Sequence, residues 1–410
     1  MTPYLLSFCQ HPREAAAVHY FSTPRVECID AADANGFSKL ALASAVIFSR
    51  DLFAMQAWLE AVRAADVPRY YFIDENVVTM RDEPQYHTHA FHRHSKEDLR
   101  ARLEDFNGVL VSNNTLAEYV RDANLHTNVE VLCPATMQLP YETGGHILDQ
   151  LAQKSPRVIR FAFFSAPIRQ GFFAQMVLPA LRELSCDFNI ELIAFGCAPG
   201  SLDDVSSPLR VRTPAWNLNY TEAVAELRRW NPDVILQPEI VNQSTPYKMP
   251  HMLLTAAQLG AALITSNAAP YIDLARQMPP PVLLCPNTIS GWTETIRLLL
   301  ESPPLRQRCA QAALNWVRTT WDGSANAALI GLLVARHPTP SDATAIRRNK
   351  SLFLAANSRF GRARALAHAT HESLDDKLLQ AEKNDRDLGE LRSALTDSRA
   401  RLVLCEDLSK

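Results

Sequence analysis

At 410 residues the chain is longer than a single domain of ordinary size and fits two or three. Hydrophobic residues make up 47% and charged residues 21%, which predicts a packed globular core and excludes wholesale disorder. Forty-one Lys and Arg stand against 44 Asp and Glu, a formal charge of −3 that argues against nucleic acid as a partner.

No run approaches the roughly 18 uninterrupted apolar residues of a membrane-spanning helix. The opening MTPYLLSFCQHPRE also lacks the regions of a secretory leader, so a soluble cytoplasmic protein is expected. The eight Cys are scattered without a C-x-x-C pair, as expected of reduced thiols. Neither G-x-G-x-x-G nor the P-loop pattern occurs.

Residues 1–40 leave room for one or two strands. From about residue 40, short apolar runs alternate with amphipathic segments of helical length, the pattern of a parallel sheet covered by helices. Strands are expected at Ala41 to Ser49, Arg69 to Ile73, Val109 to Ser112 and Val129 to Cys133. Between them DLFAMQAWLEAVRAAD reads as a helix with Asp51 as its N-cap, and SKEDLRARLEDF as another.

The stretch Tyr141 to Pro156, with two adjacent glycines, interrupts the rhythm as a linker. The alternation then resumes through IRFAFFSA, NIELIAFG, DVILQPEI, AALITSNA and VLLCPN, with helices between them. The expected organisation is an α/β unit over 1–145, a second over 156–335, a helical segment over 338–372 and a helical tail over 373–410. Leu374, Ala381, Leu388, Leu395 and Leu402 recur every seven residues in that tail, beside a mostly polar second seam. A weak coiled coil for self-association or a partner helix and a long solvated helix both fit this pattern. The tail is too polar to insert in a membrane, though it leaves open a peripheral site at the inner face.

Open α/β sheets bind ligands beyond the carboxyl ends of their strands, so two facing sheets would form a cleft lined by strand-end loops. Lys248 precedes a helix that Pro250 could open, where unpaired N–H groups and partial positive charge favour an anion such as a diphosphate. The alternative is a surface lysine on an ordinary αβ unit. Arg169, in the loop after FAFFSA, is a second candidate phosphate contact, or the partner in a surface ion pair. Ser266 and Asn267 end a strand and would offer donors to a sugar or phosphate, or simply cap the loop. Asp74 and Glu75 end a strand of the first unit, where a carboxylate could take a proton from an attacking hydroxyl or organise a turn. His87, His89, His92 and His94 form the densest set of metal-ligand types. They lack an accompanying Cys and a recognised zinc spacing, and also fit acceptor contacts or a solvated loop.

The run K-M-P-H-M-L-L-T-A-A-Q-L-G from Lys248 to Gly260, followed by a strand and S-N-A-A-P-Y ending at Tyr271, resembles the donor-binding region of GT-B-fold glycosyltransferases. Within them it is most similar to the family 4-like group of retaining bacterial enzymes of surface-polysaccharide assembly. Tyr71-Phe-Ile-Asp-Glu-Asn76, Gly108-Val-Leu-Val-Ser-Asn-Asn-Thr-Leu-Ala117, Val129-Glu-Val-Leu-Cys-Pro134 and Arg160-Phe-Ala-Phe-Phe-Ser-Ala resemble further motifs of the group in the same order. The likeness covers about residues 40–335.

The resemblance implies two Rossmann-like domains facing a cleft and a hexosyl transfer with retention. The donor is a nucleotide sugar, and the acceptor a saccharide or lipid-linked saccharide. It implies donor contacts at Arg169, Lys248, His251, Ser266, Asn267 and Tyr271, and acceptor-side catalysis at Asp74 and Glu75. No cofactor or divalent metal is expected, with Lys and Arg taking the metal's place. Many members carry two glutamates eight apart, and in this register those positions hold Tyr247 and Thr255. That departure keeps two other readings open: a non-catalytic GT-B-like module that binds nucleotide or glycan or acts as a scaffold, and a nucleotide-sugar epimerase.

Overall fold

The structure, a computed structural model, describes residues 4–9, 13–30, 36–52, 55–83, 95–135, 158–165, 169–197, 200–202, 206–215, 217, 219–338 and 340–359. The expected linker at 141–156, the four histidines of 87–94 and the tail at 373–410 lie outside these residues.

Two six-stranded sheets, every pairing parallel, form the two halves. The first holds β1 (Leu5–Cys9), β2 (Val26–Asp30), β3 (Ala45–Ser49), β4 (Arg69–Ile73), β5 (Gly108–Val111) and β6 (Val129–Val131), in the order β2-β1-β3-β4-β5-β6. The second holds β7 (Ile159–Phe164), β8 (Ile190–Phe195), β9 (Arg210–Arg212), β10 (Val234–Gln237), β11 (Ala262–Ser266) and β12 (Leu283–Cys285), in the order β12-β11-β10-β7-β8-β9. Strands covered on both faces are near-continuously apolar rather than alternating, and β1, β3 and β8 are buried at every position. Both sheets reverse their winding once, between β1 and β3 and between β7 and β10. Those reversals open crevices at the carboxyl ends of the strands.

The helix expected to begin at Asp51 spans Gln56–Ala64, with Met55 at its N-cap and no capping side chain. Arg50 leaves β3 with φ 68°, a left-handed conformation that turns the chain before a helix can start, and Asp51 is buried beside Tyr71. Residues 303–336 form two helices, Pro303–Thr320 and Ser324–Arg336. The break falls at Gly323, whose φ of 88° favours a residue without Cβ.

The second of these helices was expected within the second unit, yet its Ile330, Leu333 and Val334 share a core with Leu5, Tyr20 and Phe72 of the first sheet. The following helix, over 342–359, also packs on the first half, through Leu352. Its Arg359 lies 4.8 Å over the Trp58 ring. The apolar stripes were legible in the sequence, but a stripe does not say which sheet it will cover.

Asn326 fastens this return crossing, its amide donating to the carbonyls of Tyr20 (3.0 Å) and Cys133 (2.8 Å). Replacing it with Ala leaves both carbonyls without that donor in a buried setting. The expected loss is about 2 kcal/mol by chemical denaturation, with an unchanged denaturant slope.

Candidate functional site: an ion-paired cleft between two sheets

The halves meet across the carboxyl ends of both sheets. Tyr220 N–H donates to the Arg13 carbonyl at 2.9 Å, and Asn113 donates its amide to the Tyr247 carbonyl at 2.8 Å. The buried Glu83 carboxylate accepts from the backbone and hydroxyl of Ser244, at 2.8 and 3.2 Å. Tyr20 hydroxyl and His251 Nε2 are hydrogen bonded at 3.0 Å, and the His251 ring stacks on His19 at 5.6 Å.

Between these contacts lies a group of charged side chains from both halves. Arg50, at the end of β3, is its centre in the first half. Its Nη2 donates to Glu75 Oε2 at 2.7 Å, its Nε lies 3.2 Å from Asp74 Oδ1, and its Nη1 lies 3.5 Å from Glu14 Oε2. Glu14 follows β1 and Arg50 follows β3, so this pair spans the first sheet's winding reversal. The left-handed backbone of Arg50 is pinned by Phe72, whose carbonyl accepts from Arg50 N–H at 2.8 Å, and by Tyr71, whose hydroxyl donates to the Arg50 carbonyl at 2.6 Å. A non-glycine residue held in that region stores local strain that the surroundings must offset.

The second half mirrors this arrangement. Arg169 follows β7 and Glu239 follows β10, and their side chains meet at 3.2 Å across the second reversal. Arg169 also donates to Ser165 Oγ at 3.2 Å. The Glu239 carboxylate accepts from Gln237 at 2.8 Å, and its backbone N–H donates to Ser266 Oγ at 2.8 Å. Lys248 reaches back to the first half, with Nζ 3.8 Å from Glu75 Oε1. Lys248 belongs to the turn that precedes the helix His251–Leu259, so Pro250 stands at the N-cap, one residue before the helical turn it was expected to open.

Protonation follows from this crowding. Burial pushes Glu75 up, but Arg50, Lys248, Arg169 and His251 together outweigh it and hold its carboxyl below the usual range. Asp74 goes the other way: burial raises it, against the pull of Arg50 and with the help of Glu75. Burial, partly offset by Glu75 and reinforced by Arg50, pushes His251 down to about 4, so the imidazole is neutral at pH 7. Burial and the neighbouring His251 push His19 down to about 3, against the Ala135 backbone. Burial and then Glu239 raise the Tyr271 phenol, against Arg169.

Of the residues singled out in the sequence, Asp74, Glu75, Lys248 and Arg169 therefore converge. His251 sits beside them with its Nε2 engaged by Tyr20. Tyr271 is buried near Glu239 and Arg169. Ser266 is fully buried and organises the Glu239 turn, donating to Asn287 Oδ1, while Asn267 is exposed at the rim. Arg50, Glu14 and Glu239 were missed. For Arg50 and Glu239 the available signal was position, a charged residue just beyond an apolar strand, whereas Glu14 lies five residues past the end of β1.

The two positions held by Tyr247 and Thr255 are occupied structurally. The Tyr247 ring packs on Tyr119 at 5.2 Å, and the buried Thr255 hydroxyl bonds Tyr220 at 2.7 Å. Among the described residues no group of three or more His, Cys, Asp or Glu is placed to hold a metal ion, and no helix is long and apolar enough to cross a membrane.

No family model matches the chain, and no curated protein matches it in sequence. Solved structures do match its fold. HepE of Anabaena, determined in complex with UDP, covers 82% of this chain and is itself covered in full, with a TM-score of 0.53 at 13% identity. Sucrose-phosphate synthase of Thermosynechococcus elongatus gives 0.55 at 11% identity, over 82% of this chain and 99% of the enzyme. WaaG, a glycosyltransferase involved in lipopolysaccharide biosynthesis, gives 0.51 at 15% identity, over 80% and 99%. At this level of identity the likeness establishes architecture: the chain has the GT-B fold, two Rossmann-like halves facing a cleft.

Proposed function

We propose that the chain is a glycosyltransferase that takes a sugar from a nucleotide diphosphate donor. The observation that carries this reading is the convergence of Lys248 and Arg169, beyond the strand ends of the second sheet, on a cleft faced by Asp74 and Glu75 of the first. Breaking the bond from an anomeric carbon to a diphosphate builds negative charge on phosphate oxygens, and positioned cations lower that barrier. Lys248 and Arg169 would supply this charge, and the crevice at a winding reversal is where an α/β sheet receives such a ligand. UDP in the HepE structure, on the same fold, supports a nucleotide in this cleft. The carboxylates opposite would receive the acceptor hydroxyl.

The acceptor is read as a saccharide or lipid-linked saccharide of surface-polysaccharide assembly, with support from the fold shared with WaaG. Retention of configuration rests on the motif resemblance, and the anomeric proton signal of the product tests it. The remaining elements of this reading are a reaction without cofactor or divalent metal, a cytoplasmic location with peripheral contact at the inner membrane face, and self-association through 373–410.

A thermal-shift panel of UDP, GDP, dTDP and CMP compounds is the direct test, because a ligand that binds only the folded state raises the melting temperature. At about one hundred times its Kd the expected stabilisation is about 2.7 kcal/mol. No shift with any compound at millimolar concentration would count decisively against a nucleotide site.

One observation favours a second reading, a non-catalytic binding module. Lys248 and Arg169 both face carboxylates, and the Tyr247 and Thr255 positions are filled by packing. Such a module would bind nucleotide and release no sugar from it when acceptor is supplied.

A further inference from the structure

Lys248 and Glu75 belong to different halves of the molecule, and their 3.8 Å pairing puts a carboxylate where a diphosphate would need to lie. Glu75 is held by two cations of unequal grip. Arg50, from its own half, lies at 2.7 Å on Oε2, and Lys248 approaches Oε1 across the cleft. The looser arm is the one that a competing anion can take away, while Arg50 keeps the carboxylate in position.

We propose that Glu75 and the donor's diphosphate compete for Lys248, so that donor binding frees Glu75 to take the proton of the acceptor hydroxyl. This rests on the nucleotide-sugar reading of the cleft. Among the described residues, the charged and titratable groups facing Glu75 are Arg50 from the end of β3, Asp74 from its own loop, and Lys248, Arg169 and His251 from the second half. Glu14 reaches the group through Arg50.

In the empty site the cations hold Glu75 below the usual carboxylate range, which makes it a poor base. A diphosphate on Lys248 and Arg169 cancels their field at Glu75 and adds its own repulsion, so the affinity of Glu75 for a proton rises. In the transfer step the hydroxyl proton moves to Glu75 Oε1 and the hydroxyl oxygen bonds to the anomeric carbon on the face from which the diphosphate departs, which keeps the configuration. The bond from that carbon to the diphosphate breaks, with its electron pair leaving on the diphosphate. The acceptor-side base is thereby weak until the donor is seated.

Coupling of this kind is reciprocal, so removing the charge of Glu75 must strengthen nucleotide binding. The probe is UDP-glucose, or the diphosphosugar of whichever base the thermal panel selects, because its diphosphate does not titrate between about pH 4 and 8. Calorimetric titration in the ordinary carboxylate range, about pH 4 to 5, in buffers of different ionisation enthalpy should show proton uptake on binding, with affinity rising as pH falls. At higher pH Glu75 is ionised and serves as the base. Glu75→Gln should bind the probe roughly five-fold or more tightly, lose the uptake and transfer sugar more slowly. A catalytic residue that does not compete for the donor's cation would slow transfer without tightening binding.

Unchanged or weaker binding by Glu75→Gln, or uptake that persists in it and so belongs to Asp74 or His251, overturns the competition. Should that variant fail to fold, the wild-type titration still decides: binding without proton uptake overturns the proposal. Failure of every diphosphosugar to bind overturns the nucleotide reading itself, and this inference with it.

Discussion

Replacing Arg50 with Met is expected to destabilise the protein by about 3 kcal/mol at pH 7, with a deficit that shrinks as the solution is acidified. The guanidinium is shared by Glu14, Asp74 and Glu75, and its removal leaves these carboxylates close together with their main cation gone. Breaking one side of a buried pair costs about 3–5 kcal/mol, and the lower end applies here because Arg50 keeps 23% of its side-chain surface exposed.

The pH dependence has a definite sign. In the wild type Glu75 lies below its ordinary value, so its contribution is present above the unfolded pKa and is lost as pH falls through the folded one. Without Arg50, burial and mutual repulsion dominate and the folded values of both Asp74 and Glu75 lie above the unfolded ones. Stability of the variant is then fully present below about pH 4 and declines as pH rises through those raised values. Urea denaturation of both proteins between about pH 4 and 8 should therefore show a gap that widens with pH. A constant gap would mean that Arg50 stabilises through packing rather than charge.

That role for Arg50 was invisible in the sequence for a physical reason. The apolar runs Arg69–Ile73 and Gly108–Val111 announce strands because both faces are covered, and Tyr220–Trp230 announces a helix through its spacing. What one-dimensional patterning lacks is the lateral order of the strands. Whether β3 lies beside β1, or β10 beside β7, depends on the handedness and length of the crossovers, and only that order brings Glu14 to Arg50 and Glu239 to Arg169.

Lys248 was legible because the helix after it carries its own start and stop signals, ending at Gly260 in the left-handed conformation. Asp74 and Glu75 were legible as strand-end carboxylates, but their opposite protonation tendencies follow from Arg50 and Lys248, which approach from other elements. Asp51 misled for a related reason. It is a good capping residue in a good place, but it follows the left-handed turn at Arg50, held by Phe72 and Tyr71, and the helix starts at Gln56.

Replacing Lys248 with Met should lower kcat/KM for transfer by about 100- to 1000-fold, the usual consequence of removing one positioned donor from a developing anion. Methionine keeps an unbranched apolar stem at this buried position, and the Glu75 pairing it removes is a long one at 3.8 Å, so the loss of stability should be smaller than that of Arg50→Met. The division of the loss between kcat and KM carries the information. A lysine that merely held the ground-state diphosphate would raise KM and leave kcat intact, whereas one that neutralises charge as the leaving group departs lowers kcat.

The geometry favours the second outcome, because Lys248 is engaged by Glu75 before the donor arrives. On the proposed function, part of its attraction for the ground-state diphosphate would be spent in displacing that carboxylate, and the remainder would be expressed as charge grows on the phosphate oxygens. Arg169 stands in the same relation to Glu239 at 3.2 Å, and Arg169→Met should show a smaller effect of the same kind, since Glu239 is itself held by Gln237 and yields its partner less readily. Steady-state kinetics of the two variants against donor concentration would settle the assignment. A Lys248→Met enzyme with wild-type kcat and only a raised KM would remove Lys248 from the chemical step.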